Sequence, residues 1–314
     1  MCALFGWLDY KGKVSSKFLQ KLTQALANAA EERGTDAAGI SYIKNGRITI
    51  YKRPKPAHKL HFHVPVETKA VMGHTRFTTQ GNQKKNYNNR PFYGYADKTF
   101  SFAHNGILHN DIQLRKEKNL PATKIETDSY IAVQLLEQSG KLDFKSLKNM
   151  AETVEGYFTF TILDENNKLY FVKGTSPLYL IHFKKLGLYA YASTKNIMQN
   201  ALKSCRMHRY QYTIIPVDNS DILSINSQGN IETSTFCTAF SDYKYFRYSN
   251  TYNINDIEIK DSQLDTILEM CSCFGVDEDT VLELLDAGYS YDDIECFFIN
   301  PSDLQEELNA MGEF

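Results

Sequence analysis

Apolar residues in the first 240 positions recur with two periods. Short runs at residues 4–8, 39–43, 47–51, 70–74 and 99–104 mix aliphatic, β-branched and aromatic side chains and predict strands. After the first of these, Leu19, Leu22 and Leu26 repeat at helical spacing, so residues 15–33 predict a helix with Ser15 or Ser16 as its cap. Ile131, Leu135 and Leu136 predict a helix over 128–138, and Leu147, Met150 and Ala151 a second over 144–154. A dense β section follows at 157–163, 169–172, 178–183 and 188–192, then a helix at 195–203 and strands at 212–216, 221–225 and 230–235. Glu165-Asn166-Asn167 and Ser227-Gln228-Gly229-Asn230 supply turn chemistry between strands. Strands in hairpin succession, with helices inserted in blocks, suggest two antiparallel sheets packed together and covered by helices.

From about residue 256 the pattern is helical throughout. Leu264, Ile267, Leu268 and Cys271 share a face, Val281, Leu282, Leu284 and Leu285 form the next apolar cluster, and Gly288 reads as a C-cap. Ser290-Tyr291-Asp292-Asp293 and Ser302-Asp303-Leu304-Gln305 resemble capping boxes. Charge marks the same division. Residues 1–240 hold 32 Lys+Arg and 19 Asp+Glu, a net of +13; residues 241–314 hold 3 and 18, a net of −15; together they make the −2 of the whole chain. The expected organisation is a first domain over 2–240, a connector over 241–255 and an acidic helical domain over 256–314 that either docks on a partner or simply stays soluble. The acidic sign disfavours nucleic-acid binding by the tail; Lys84, Lys85 and Arg90 leave only a weak case for it in the first domain.

The 314 residues contain no apolar run long enough for a membrane span and no basic-then-apolar leader, which points to the cytoplasm. The 6 cysteines match no zinc spacing and no disulfide framework, and no cofactor motif is present, so neither metal nor cofactor is expected.

Candidate chemistry begins at Cys2. If Met1 is removed, one residue carries a thiol and a free α-amine, and the amine titrates at roughly pH 8, so part of it can accept a proton at neutral pH. Four clusters lie downstream: Glu32–Ile40 at a helix exit, Gly73–Gly81 running from a strand into a loop, His104–Asn110, and Glu126–Ser129 at a helix start. Singly, each has a plain structural reading. Arg33-Gly34 fits a C-cap, Asn105-Gly106 fits a turn, and Thr127-Asp128 fits a helix N-terminus.

Their order and joint content resemble the class II glutamine amidotransferases, the N-terminal-nucleophile hydrolases that release ammonia from glutamine. Members of that family open on a nucleophilic Cys and continue through Arg-Gly-x-Asp-Ser-x-Gly-Ile, Gly-His-Thr-Arg-x-x-Thr-x-Gly, His-Asn-Gly-x-Ile-x-Asn and Glu-Thr-Asp, which Cys2, Arg33–Ile40, Gly73–Gly81, His104–Asn110 and Glu126–Asp128 match, the resemblance covering about residues 2–237. The resemblance implies an α+β, four-layer αββα sandwich of two antiparallel sheets, followed here by the small helical domain. It implies Cys2 as nucleophile, and the Asn105 amide with the Gly106 N–H as oxyanion donors. Arg76, helped by Thr79, would hold the α-carboxylate of glutamine, and Asp128 would hold its α-ammonium. His74, Phe77, Arg33 and Asp36 would support the site and its loop. Departures are Ala3-Leu4 after the nucleophile, Phe77 for a Trp, Gln80 for a His, Ala37 for a Ser, and Arg90-Pro91-Phe92 where relatives often carry a His-bearing segment. No synthetase, isomerase or phosphoribosyltransferase motif follows, so the expected partner is a separate ammonia-acceptor enzyme. Two other readings compete: a hydrolase of another γ-glutamyl compound on the same fold, and a catalytically dead binding or regulatory protein.

Overall fold

The computed structural model describes residues 2–237, 267–268, 276–289, 293–294, 297 and 304. Met1, residues 241–255, Cys271, Cys273 and most of both proposed capping boxes beyond residue 289 lie outside the described residues. The chain divides into two units, Cys2–Tyr243 and Lys244–Phe314.

In the first unit, β1 (Ala3–Asp9) lies at the middle of a seven-stranded antiparallel sheet with β2 (Ala37–Lys44), β3 (Arg47–Arg53), β4 (Ala70–Arg76), β9 (Tyr179–Phe183), β10 (Leu188–Ala192) and β11 (Thr213–Ile215), in the order β11-β9-β10-β1-β4-β2-β3. A six-stranded antiparallel sheet holds β5 (Phe92–Tyr95), β6 (Thr99–Leu108), β7 (Gly156–Asp164), β8 (Leu169–Lys173), β12 (Asp221–Ile225) and β13 (Ile231–Thr235), in the order β13-β12-β8-β7-β6-β5.

Strand alternation sorts the apolar side chains into three layers. Ala3, Phe5 and Trp7 of β1 pack with Leu19, Leu22 and Leu26 of α1 (Ser16–Ala29) and Ile197, Ala201 and Leu202 of α5 (Lys195–Ser204). Leu4 and Leu8 take the opposite parity and join Met72, Ala103, Phe171 and Tyr191 between the sheets. Phe100, Phe102, Phe158 and Phe160 pack with Ile131 and Leu136 of α3 (Tyr130–Ser139) and Leu147 and Met150 of α4 (Phe144–Thr153). The result is the αββα sandwich expected from the resemblance.

Several local expectations change. Ser15 caps α1 through Phe18 N, but the helix ends at Ala29 and tightens into a 3-10 turn, Ala30–Arg33. β5 and the short helix α2 (Asp111–Glu117) carried too little apolar periodicity to be read. Asn105-Gly106 is not a turn: β6 runs through it, pairing Asn105 with Thr159 and Gly106 with Phe158. The helix expected from 128 begins at Tyr130, leaving Asp128 in the preceding turn. In the second unit, α6 (Glu278–Asp286) buries Val281 and Leu284 and is capped by Asp277 through Thr280 N. Leu282, assigned to that apolar cluster, is 43% exposed instead, because it falls on the opposite face. Gly288 follows the Ala287 C-cap at φ 95°.

Trp7, the only tryptophan, reports on the first unit. Phe171→Ala, which empties space between the sheets, should lower its unfolding free energy by about 3–5 kcal/mol in urea titrations followed by Trp7 fluorescence. Val66→Ala, at a surface position, should change it by less than about 0.5 kcal/mol.

Candidate active site

Cys2 directly precedes β1 and is buried. Its carbonyl accepts a hydrogen bond from Arg33 Nε at 3.2 Å, and its Sγ lies 3.4 Å from the Phe77 carbonyl as a donor. The Arg33–Asp36 turn therefore fixes the backbone of the thiol residue. The same turn fixes the loop above it: Asp36 N donates to the Arg76 carbonyl at 2.9 Å, and Asp36 Oδ2 accepts from Thr78 N at 2.8 Å. Glycine is needed at 34 because a Cβ there would sit 2.4 Å from the Arg76 carbonyl carbon and 2.5 Å from Phe77 N.

Residues 77–91 leave β4 and return to β5 with only a short 3-10 turn, Asn86–Asn88, between. Arg76, fully buried at the end of β4, donates through Nη1 to Asn89 Oδ1 at 2.7 Å and through Nη2 to the Gln80 and Gly81 carbonyls at 2.5 and 3.1 Å. Burial and the neighbouring Arg90 bring its pKa down to about 10, leaving it charged at neutral pH. Its Nε has no partner. Phe77 is half-buried and Thr79 exposed on the loop. At the loop's outer side Glu126 pairs with Lys85 and accepts from Asn88 Nδ2 at 2.9 Å, contacts that lower its pKa to about 2.

Asp128 ties the loop to β6. Its N–H donates to Gln80 Oε1 at 2.7 Å, its Oδ2 accepts from Leu108 N at 2.7 Å, and its Oδ1 lies 3.4 Å from Arg90 Nη2. Both side chains are buried. His104 Nε2 donates to the Tyr157 carbonyl at 3.3 Å, and Nδ1 faces Ser129 Oγ at 2.7 Å. Burial, reinforced by Arg90, pushes the His104 pKa down to about 4, so the ring is neutral and its 3.9 Å approach to Asp128 is not an ion pair. A neutral ring with its proton on Nε2 accepts at Nδ1, so the Ser129 hydroxyl donates to it and receives from Arg90 Nη2. Lys52, on β3, donates to the carbonyls of Asn89 and Pro91, the latter at 3.0 Å; burial, then Arg90 and Arg76, lower its pKa to about 7.

His74 and Asn105 face the space between the sheets. His74 Nε2 donates to the His104 carbonyl at 3.0 Å, joining β4 to β6, and its buried Nδ1 has no partner. Burial, then Arg90 and Arg76, hold its pKa well below the usual histidine range. Asn105 is fully buried, and neither its Oδ1 nor its Nδ2 has a partner. Gly106 has φ 133°, and a Cβ there would stand 1.9 Å from the Tyr157 carbonyl oxygen. Only glycine fits that backbone.

The profile of the glutamine amidotransferase domain matches residues 74–200. Over 237 residues the chain is 29% identical to 7-cyano-7-deazaguanine synthase 2 of Sulfurisphaera tokodaii, covering 72% of this chain and 50% of that protein. Over 188 residues it is 32% identical to the isomerizing glutamine–fructose-6-phosphate aminotransferase of Bacillus cereus, covering 57% of this chain and 30% of that protein. Residues 74–200 are thus a glutamine amidotransferase domain, in keeping with the class II resemblance. The fold agrees: the glutamine phosphoribosylpyrophosphate amidotransferase of B. subtilis, at 21% identity, superposes with a TM-score of 0.60 over 87% of this chain and 58% of its own. The chain thus spans half or less of the length of these curated relatives.

Cys2 is hydrogen-bonded to Arg33 and Phe77, and Asp36 to Arg76 and Thr78 on either side of Phe77. Arg76 and Asp128 are linked through Gln80, and His74 contacts the strand that bears Asn105. Thr79 joins none of these contacts. Lys52 and Asn89 were missed, and Ser129 enters the sequence reading only as part of the Glu126–Ser129 cluster. A structureless connection of about 15 residues is itself a functional signal, and the Asn88-Asn89-Arg90-Pro91 run lies within it. No helix among the described residues is long and apolar enough to cross a membrane, and among them no group of His, Cys, Asp and Glu could hold a metal ion.

Because folded His104 titrates near 4 and an unfolded histidine near 6.5, the unfolded chain binds the extra proton first as pH falls. The contribution of neutral His104 is therefore complete above about pH 6.5 and is lost toward pH 4. In urea titrations, the stability difference between wild type and His104→Asn should shrink across that window; a constant difference would contradict the assignment.

Proposed function

We propose that this chain is a glutamine-dependent amidotransferase whose nucleophile is Cys2, exposed as the N-terminal residue by loss of Met1. The thiol attacks the side-chain amide carbon of glutamine. The α-amine of Cys2, directly or through a water, takes the thiol proton and returns it to the departing nitrogen. Ammonia leaves, a γ-glutamyl thioester remains, and water releases glutamate and restores the thiol. The proposed ammonia acceptor is a separate enzyme. The relatives, named for a product or an acceptor, support the existence of such an acceptor.

The observation that carries this reading is Asn105. A fully buried amide with both polar atoms unpartnered is costly, commonly about 1–3 kcal/mol, and such a group persists where a ligand completes it. Beside it, Gly106 has the positive φ and tight backbone contact that only glycine tolerates. Together they suit a developing oxyanion. The loop bearing Phe77 and Thr79, with Arg76 and Asp128 beneath it, is proposed to bind the amino-acid head of glutamine.

Intact-mass measurement after 6-diazo-5-oxonorleucine should show loss of Met1 and a single adduct on Cys2. Cys2→Ala should release no glutamate. Asn105→Ala should lower kcat about 10²–10³-fold with a much smaller change in KM. An unlabelled protein that keeps Met1 would refute the proposal.

A further inference from the structure

Arg90 has no role in the chemistry above, yet it is buried at the centre of the polar network. Its Nη2 bonds Ser129 Oγ and reaches Asp128 Oδ1 only at 3.4 Å, a long contact for a charge-assisted pair. Its Nε is buried and unpartnered, as is the Nε of Arg76. Arg76 and Arg90 are joined through consecutive residues, since Asn89 Oδ1 accepts from Arg76. Both converge on Asp128, Arg76 through Gln80 and Arg90 directly.

The charges do not balance. Two guanidinium groups, with the Lys52 amine on the Asn89 and Pro91 carbonyls beside them, share one buried carboxylate, Asp128, and the half-buried Asp36, which also accepts from Thr78 N. His74 and His104 are neutral and cannot offset the excess. Lys52, His74, Arg76 and His104 each have a pKa lowered first by burial and then by Arg90 or Arg76, as expected where cationic groups crowd together. The two unpartnered Nε–H groups are buried donors for which an anion would be a favourable partner.

We propose that Arg90 is a second carboxylate-binding residue, forming with Arg76 a two-arginine clamp on the α-carboxylate of the substrate and leaving Asp128 Oδ1 to the α-ammonium. This rests on the reading of the site as one for glutamine. Binding would draw Arg90 from its long contact with Asp128 to the incoming carboxylate, so the two substrate charges replace one weak internal pair.

The test compares wild type, Arg90→Gln and Arg90→Lys with three ligands. They are L-glutamine, glutaramate (which lacks the α-ammonium) and L-glutaminamide (which lacks the α-carboxylate), the last two as competitors of glutamine hydrolysis. Arg90→Gln should raise KM for glutamine about 10- to 100-fold, with a far smaller change in kcat, and Arg90→Lys should recover part of it. Inhibition by glutaramate should weaken by a similar factor, whereas any inhibition by glutaminamide should not change. A loss confined to glutamine, with glutaramate unaffected, would mean that Arg90 only orients Asp128, and would overturn the proposal. So would an unchanged KM, or failure of glutaramate to inhibit the wild type. Alkylation of Cys2 by iodoacetamide, which has no amino-acid head, should proceed at the wild-type rate in both variants and controls for folding. Should Arg90→Gln fail that control, Arg90→Lys carries the test, because loss of the planar fork alone should raise KM. If wild type neither hydrolyses glutamine nor takes the diazo adduct, the proposed function fails, and not merely the clamp.

Discussion

The arrangement of the site depends on one buried anion. A carboxylate taken out of water is tolerated only when its oxygens are met by donors, and those of Asp128 are met by Leu108 N and Arg90 Nη2. Leu108 N fixes it to the end of β6, Arg90 ties it to the return of the 77–91 loop, and its own N–H holds the Gln80 side chain. The strand carrying Asn105-Gly106, the loop carrying Phe77 and the start of α3 are thereby set relative to one another by groups that would be costly to leave unpaired.

A second constraint comes from the loop's backbone. Residues 77–91 have almost no secondary structure to pair their carbonyls and N–H groups. Arg76 serves two carbonyls, Asp36 one N–H, Glu126 another, and Lys52 two more carbonyls. Charged side chains do here what a strand partner would do elsewhere. Such contacts can be exchanged for contacts to a ligand, whereas a strand ladder cannot, which suits a loop proposed to hold substrate. Asn105 and Gly106, by contrast, are built into β6 and cannot move without breaking the pairing with β7. The proposed oxyanion donors are thus rigid and the proposed head site adaptable.

How much of this was legible varies by element. The alternation of β1 and the helical repeat of Leu19, Leu22 and Leu26 marked their layers, because one-sided burial writes its period into the sequence. β5 escaped because its pattern, buried Phe92 and Gly94 between exposed Tyr93 and Tyr95, is short and tyrosine-rich on the outside. Asn105-Gly106 shows the limit of local propensity. The dipeptide favours a hairpin turn, but pairing with Thr159 and Phe158 outweighs it and keeps the strand continuous.

The sequence by itself determined most of the order of strands and helices, the step in charge near residue 240 and the chemical inventory of the candidate site: a thiol at position 2, an arginine at 76, an amide at 105 and a carboxylate at 128. Those follow from composition and from periods that depend on neighbours in the chain. Tertiary structure decided which of these groups are already engaged and which are not. It left Asn105 without partners, gave Arg76 the loop carbonyls to hold, and brought Arg90 to Asp128. The reason is physical: whether a buried polar group is satisfied depends on residues tens of positions away, and no local pattern encodes that distance.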